Sequence, residues 1–296
     1  MKEVRSARTE LLGSESMVQL RLLIKDAYDE RDALAKEINT SKREAEIALR
    51  HYQTWERGFF AKRIRSRAFA SRKEASDTAR AKFDELLEQL RLTSLATEIT
   101  IDREQAEPYY RMRDEFAALS ACKTIWDTLE RRTINRAVER SAAHELITRE
   151  IVSFSLGTSD LIHWDQQVPH LANRNGGDMY IYPGFLLYRA AKQAFALIDC
   201  REMTLTFSAT RFIEEQAVPS DSNVVGSAWS KSNKDGSPDR RFQNNYQIPI
   251  VLYGTILFSS PSGLQEEYQF SNPALAERFV NSWNLFRASF SPIDPS

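Results

Sequence analysis

The chain of 296 residues has little of several features that would define a class of protein. Its two cysteines, Cys122 and Cys200, are too few for a disulfide framework, so a reduced, cytoplasmic protein is expected. The 40 basic and 41 acidic residues almost cancel, which excludes a global field that attracts nucleic acid or membrane. No apolar run approaches the roughly 20 residues of a membrane span, and the charged first residues do not resemble a signal peptide.

Motifs that carry familiar chemistries are also missing. The sequence has no glycine-rich phosphate loop, no GxSxG elbow, no HExxH and no CxxC. His163 and His170 share a loop-rich stretch, but no third clustered histidine or cysteine completes a metal-ligand pattern. We therefore expect no metal, no cofactor and a non-enzymatic protein.

The N-terminal region has the composition and the periodicity of long helices. Residues 19–61 contain no proline and a single glycine, and they are rich in Ala, Glu, Lys, Arg and Leu. Positions at alternating four- and three-residue steps from 20 to 59 are apolar except Arg31 and Ser41, which predicts a coiled-coil seam. The seam pairs either with a second copy of the chain or with a later helix in an antiparallel hairpin. That later helix is predicted around Phe83, Leu86, Leu87 and Leu90.

A basic segment, WERGFFAKRIRSRAFASRK at residues 55–73, lies between the two predicted helices. Aromatic residues are interleaved with the cations, so a helix here would have an aromatic face and a basic face. Such a helix can neutralise nucleic-acid phosphates, or lie on an anionic membrane surface or an acidic protein. In the structural interpretation the aromatics pack at the hairpin tip and the arginines are solvated. The candidate nucleic-acid-binding residues are Arg57, Lys62, Arg63, Arg65, Arg67, Arg72 and Lys73.

Residues 92–110 read as a boundary, because Pro108 disfavours a helical conformation at the residue before it. A further helical block is predicted from about Tyr109 to Phe154, with an apolar stripe at helical spacing. Its polar face offers opposite charges four residues apart, such as Glu145 and Arg149. We expect that face to be solvated rather than to bind a ligand.

The C-terminal region follows a loop-rich connector at residues 156–178 and is predicted to contain about six strands. In the last of them Leu264, Tyr268 and Phe270 share one face, and Glu266 falls among them as a misfit. A closing helix is then predicted, with Asn272 as N-cap and Pro273 at the first helical position. Its apolar stripe consists of Leu275, Ala276, Phe279, Trp283 and Phe286.

The loop NKDGSPDRRFQNN, residues 233–245, is the most distinctive polar stretch. Its aspartates can accept hydrogen bonds from nearby backbone amides and arginines, while Phe242 is expected to insert into the β core. Paired arginines can bind phosphate or carboxylate groups in a fork geometry. The candidate partner-binding residues are Asp235, Asp239, Arg240 and Arg241.

Four segments, residues 179–189, 224–245, 248–272 and the last helix, resemble a C-terminal region shared by uncharacterised bacterial proteins of PH-like or GRAM-like type. The resemblance implies a β-barrel closed by one helix and brings no catalytic residues. Lipid-binding members carry several basic residues around the first hairpin, whereas this chain has only Arg189 and Lys192 there. The resemblance therefore implies protein binding rather than phosphoinositide binding.

The sequence thus predicts an α+β protein: a helical coiled-coil region at 1–107, a helical linker block at 108–155 and a PH-like domain at 156–296. The predicted function is that of an interaction or scaffold protein, in which the coiled coil directs assembly and the PH-like domain binds a protein. A homodimer through the N-terminal helices is one form of that assembly. The alternative is a nucleic-acid-binding subunit of a bacterial defence or DNA-processing assembly, acting through residues 57–73.

Overall fold

The computed structural model describes residues 2–4, 6–7, 9, 11–56, 67–92, 99–133, 145–162, 164–190, 194–233 and 235–290. The chain divides into two compact units. The β unit comprises Met1–Arg21, Glu98–Asp160 and Trp164–Ser296, and the hairpin unit comprises Leu22–Thr97 with Leu161–His163. None of the described helices combines the length and the apolar composition that crossing a membrane requires.

The hairpin unit is built on helices α1 (Val18–Glu56) and α2 (Arg67–Leu92). Burial on α1 follows the predicted four-and-three alternation, with Ile24, Ile38 and Ser41 the most buried positions. Lys82 Nζ on α2 lies 3.6 Å from Glu37 Oε1 on α1, so the two helices pair antiparallel within one chain. The least exposed described positions on α2 repeat the same alternation: Arg72, Ser76, Ala79, Phe83, Leu86 and Leu90.

Helix α3 (Arg103–Ser120) is followed by strands, which corrects the predicted helical block. The helix prediction holds only to Ser120, because Ile125–Thr133 is strand β2 and Glu145–Val152 is strand β3. These segments pair with each other and with a distant C-terminal strand, and such long-range pairing overrides a helical pattern in the sequence. The helix begins inside the boundary predicted at residues 92–110, so Pro108 lies within the helix.

The β unit contains two antiparallel sheets. The remaining strands, in chain order, are β4 (Phe154–Gly157), β5 (Val168–Leu171), β6 (Asp178–Tyr182), β7 (Phe185–Arg189), β8 (Phe195–Asp199), β9 (Thr204–Ile213), β10 (Asn223–Trp229), β11 (Gln247–Ser259) and β12 (Gln265–Phe270), after the short β1 (Lys2–Glu3). The first sheet has the order β1-β2-β12-β11-β10, with β3 beside β2 and β9 beside β11. The second is the meander β4 to β8. Among the described strands neither sheet closes on itself, so the predicted barrel is not confirmed.

The closing helix α4 (Pro273–Ala288) forms as predicted. The Asn272 side chain accepts hydrogen bonds from the backbone amides of Ala274 and Leu275, which caps the helix. The stripe Ala276, Phe279, Trp283 and Phe286 is fully buried against α3 and the first sheet. At Gly254 on β11 an added Cβ would lie 2.7 Å from Ala276 Cβ, so this glycine lets α4 approach the sheet closely.

The first sheet has an inner face and an outer face of different composition. We call inner the face with Ile125, Phe258 and Phe270, whose side chains pack in the main core. Register places Asp127 opposite Tyr268 and Glu266 opposite Phe258, so both carboxylates belong to this inner face. The outer face carries a second, smaller cluster of Trp126, Val251 and Tyr253.

Candidate functional site

The predicted basic segment lies mostly outside the described residues. Arg57, Lys62, Arg63 and Arg65 are not described, and Arg67 is described only as the first residue of α2. Arg72 is half-buried on the side of α2 that faces α1, whereas Lys73 is exposed. The nucleic-acid hypothesis therefore stays a prediction.

The four predicted partner-binding residues come together in the loop that joins β10 to β11. Asp235 Oδ1 accepts hydrogen bonds from the Ser237 amide and hydroxyl, at 3.0 Å and 2.7 Å. Asp239, which is buried, accepts from the Arg241 amide and holds the Arg241 guanidinium with two hydrogen bonds of 2.9 Å and 2.8 Å. Arg240 is exposed. The loop is thus ordered by its aspartates, as predicted, and presents its arginines outward.

Phe242 does not insert into the β core, because its side chain is 39% exposed. It belongs to a mostly exposed extension, residues 223–246, that we call the β10 arm. The arm also exposes Val224, Val225 and Tyr246, at 57%, 37% and 60%.

A cluster of buried acids occupies the inner face of the first sheet. Asp127 on β2 and Glu266 on β12 are both 0% exposed. They are diagonal cross-strand neighbours, because Asp127 lies opposite Tyr268, two residues from Glu266. The misfit position of Glu266 in an apolar strand face was the sequence signal for this cluster, whereas Asp127 was hidden by the helix prediction for its segment.

Hydrogen bonds to Glu266 all converge on one carboxylate oxygen. Glu266 Oε1 accepts from the Ser6 hydroxyl at 2.5 Å and from the Tyr188 phenol at 3.3 Å. The other oxygen, Oε2, is buried and has no hydrogen-bond partner among the described residues. One oxygen of this carboxylate is therefore hydrogen-bonded to the described residues, and the other is not.

The loop Asn173–Gly177, between β5 and β6, packs beside both acids. The Arg174 amide donates to Asp127 Oδ2 at 2.7 Å, and the Asn173 side-chain amide donates to the Tyr268 phenol at 3.2 Å. A Cβ at Gly176 would lie 2.3 Å from the Tyr188 oxygen and 3.0 Å from Glu266 Oε1. Only glycine fits here, so the loop backbone closes tightly over the carboxylates.

Burial is the main cause of the perturbed acidity of this pair. It raises the pKa of Glu266 to about 7, with the Asp127 charge adding to the increase and the Ser6 hydrogen bond opposing it. Burial likewise raises the pKa of Asp127 to about 6, against the hydrogen bond from the Arg174 amide. Both carboxyl groups thus hold a proton more tightly in the folded chain than in the unfolded chain.

This pair predicts a loss of stability as the pH rises. Below about pH 4 both acids are protonated in the folded and in the unfolded chain. As the pH rises, the unfolded chain releases these protons first, because ionisation inside the fold is unfavourable. The free energy of unfolding therefore falls until the folded chain also releases them, at about pH 6 and 7. In EDTA we expect the free energy of unfolding to fall by roughly 2–3 kcal/mol between pH 5 and pH 8. Urea unfolding at both pH values measures this.

The matched comparison for that prediction uses adjacent glutamates. Glu266→Gln should reduce the pH dependence, because the amide cannot ionise and only Asp127 still contributes. Glu267→Gln should retain it, because Glu267 lies on the outer face in an ion pair with Arg131. A pH dependence that is equal in the wild type and in Glu266→Gln would contradict the assignment.

The outer face holds a buried ion pair that the sequence did not reveal. Arg149 on β3 pairs with Glu214 and Gln269, and only 7% and 2% of the Arg149 and Glu214 side chains are exposed. The guanidinium carbon lies 3.9 Å from the Trp126 ring centre and 4.0 Å from that of Phe212. The guanidinium is held by side chains of the same sheet region, so we interpret this ion pair and its aromatic neighbours as a structural element of the sheet.

Comparison of the chain with protein-family models, with curated proteins and with solved structures gives no match.

Proposed function

We propose that the chain is a non-enzymatic interaction protein that binds a partner along the β10 arm. The observation that carries this proposal is the exposure of β10: residues 223–227 are exposed on both faces of the strand. β10 pairs with β11 on one side, and no described strand pairs with its other side. A free strand edge offers backbone donors and acceptors to an added strand, which is a recurrent mode of peptide recognition.

Side chains on the arm suggest what the partner looks like. Val224 and Val225 offer apolar contacts along the edge, and Phe242 and Tyr246 extend the apolar surface into the loop. Arg240 and Arg241 add exposed positive charge at the loop. We therefore propose an extended peptide with apolar residues along the strand and a carboxylate that faces the arginines.

The PH-like character of the C-terminal region and the role of the hairpin in assembly belong to the same proposal. Two antiparallel sheets followed by α4 are compatible with the PH-like element order. In the hairpin unit, α1 also exposes Leu22, Leu23, Ile47 and Leu49, which are available to a second copy of the chain or to another helix. We propose that the hairpin directs assembly while the arm takes the partner strand.

Selection of peptides from a displayed random library against the full chain tests the arm. We expect selected peptides with alternating apolar residues, and we expect V224K/V225K to weaken them about tenfold or more. The reason is that two lost valine contacts exceed the 1.4 kcal/mol that corresponds to a tenfold change. Isothermal titration of the wild type and the variant measures the affinity.

The control substitution is Leu285→Lys, which changes a leucine on α4 that is equally exposed, at 53%, but distant from any strand edge. It should leave peptide affinity unchanged. Peptides that bind V224K/V225K as tightly as the wild type would show that the arm is not the binding surface.

A further inference from the structure

Three buried oxygen atoms beside the Asn173–Gly177 loop have no hydrogen-bond partner among the described residues: Asp127 Oδ1, Glu266 Oε2 and Asn175 Oδ1. Each belongs to a side chain whose other polar atom is engaged. Asp127 Oδ2 and Glu266 Oε1 accept hydrogen bonds, and the Asn175 amide nitrogen donates to the Val4 carbonyl at 2.9 Å. These bonds fix the side chains and leave three acceptor oxygens free.

The positively charged Arg174 side chain lies near the acids but bonds to other groups. The Arg174 guanidinium donates to the Ile151 carbonyl and lies 3.9 Å from Glu150, which is opposite Asp127 on β3. The Asp127 carboxylate instead interacts with the backbone amides of Arg174 and Asn175. The other groups that face the pair are the Ser6 hydroxyl, the Asn173 side-chain amide and the phenols of Tyr188 and Tyr268, and none of them carries a positive charge. A pair of ionised carboxylates here thus has no cationic side chain bonded to it.

The chemistry of the three free atoms selects the class of ligand. Two carboxylate oxygens and one amide oxygen are the donor types that hard cations such as Ca²⁺ and Mg²⁺ prefer, with water completing the coordination. A divalent charge also balances the two carboxylates, which compensates for their burial. A nitrogen- or sulfur-preferring metal would find no histidine or cysteine among these ligands.

We propose that Asp127, Glu266 and Asn175 bind a hard divalent cation beside the Asn173–Gly177 loop. The cation joins strands β2 and β12 to the loop between β5 and β6, and so links the two sheets of the β unit.

Thermal unfolding of the full chain at about pH 8 tests the site with CaCl₂ and MgCl₂ as the probes. Relative to EDTA, we expect a rise in Tm of about 5–10 °C at a salt concentration a hundredfold above Kd. Isothermal titration with the same salts should give one site per chain. No rise in Tm and no binding heat with either salt would overturn the proposal.

Conservative variants separate this site from non-specific ion effects. Asp127→Asn and Glu266→Gln keep the side-chain shape, so they should fold, be at least as stable as the wild type in EDTA and lose the rise in Tm. Glu267→Gln, on the outer face, should retain the full response. An equal rise in Tm in the wild type and in both inner-face variants would show that the ions bind elsewhere and would also overturn the proposal.

Discussion

Replacing Arg149 by methionine is expected to lower the free energy of unfolding of the β unit by about 3–5 kcal/mol. The loss arises because Glu214, whose side chain is 2% exposed, then keeps its charge inside the protein without a cation. The Tyr253 phenol, 2.7 Å from Glu214 Oε2, and the Gln216 amide are neutral donors that compensate only in part. Urea unfolding followed by far-UV circular dichroism measures the change.

Two further variants distinguish the buried charge from the lost packing of the guanidinium. Arg149→Met combined with Glu214→Gln should recover much of the stability, because no uncompensated charge stays buried. Arg211→Met removes an exposed arginine from neighbouring β9 and should change stability by less than about 0.5 kcal/mol. If the double variant is no more stable than Arg149→Met, the stacking of Arg149 on Trp126 and Phe212 is the dominant contribution.

Local signals in the sequence were sufficient where one element determines its own structure. The four-and-three alternation predicts the buried stripe of α1, and Asn272 with Pro273 predicts the start of α4, because these patterns act within a few residues. The same reasoning failed for β2 and β3. Their sequences carry apolar residues at spacings that fit a helix. In the structure β3 pairs with β2, and β2 pairs on its other side with β12, more than a hundred residues away.

A candidate site was likewise predictable when its residues are close together in the sequence. The loop with Asp235 and Asp239 was predictable because its hydrogen bonds connect residues two positions apart. The acid cluster joins Ser6, Asp127, the Asn173–Gly177 loop and Glu266, which are brought together only by the sheet pairings. Glu266 could still be recognised in the sequence, because a carboxylate on the apolar face of a strand is unusual. Arg149 could not be recognised in this way. Helical spacing matched it with Glu145, whereas its partner Glu214 is distant in the sequence.

Trp283→Ala is expected to cost about 3–5 kcal/mol, the range for removing a large aromatic side chain from a packed core. Trp283 on α4 is 0% exposed and packs edge-to-face on Phe286, with ring centres 5.8 Å apart. The close approach of α4 to the sheet at Gly254 leaves the helix little freedom to shift into the cavity. Chemical unfolding should be followed by far-UV circular dichroism rather than by tryptophan fluorescence, because the substitution removes a fluorophore.

The indole nitrogen makes the comparison with Trp283→Phe informative. Trp283 Nε1 is buried and has no hydrogen-bond partner among the described residues, so phenylalanine removes an unsatisfied donor while it keeps one aromatic ring in place. We therefore expect Trp283→Phe to lose well under half as much stability as Trp283→Ala. Leu285→Ala, at an exposed position of the same helix, should be nearly neutral. A loss at Leu285 equal to that at Trp283 would mean that α4 presents a different face to the sheet, and the core described around it would be wrong.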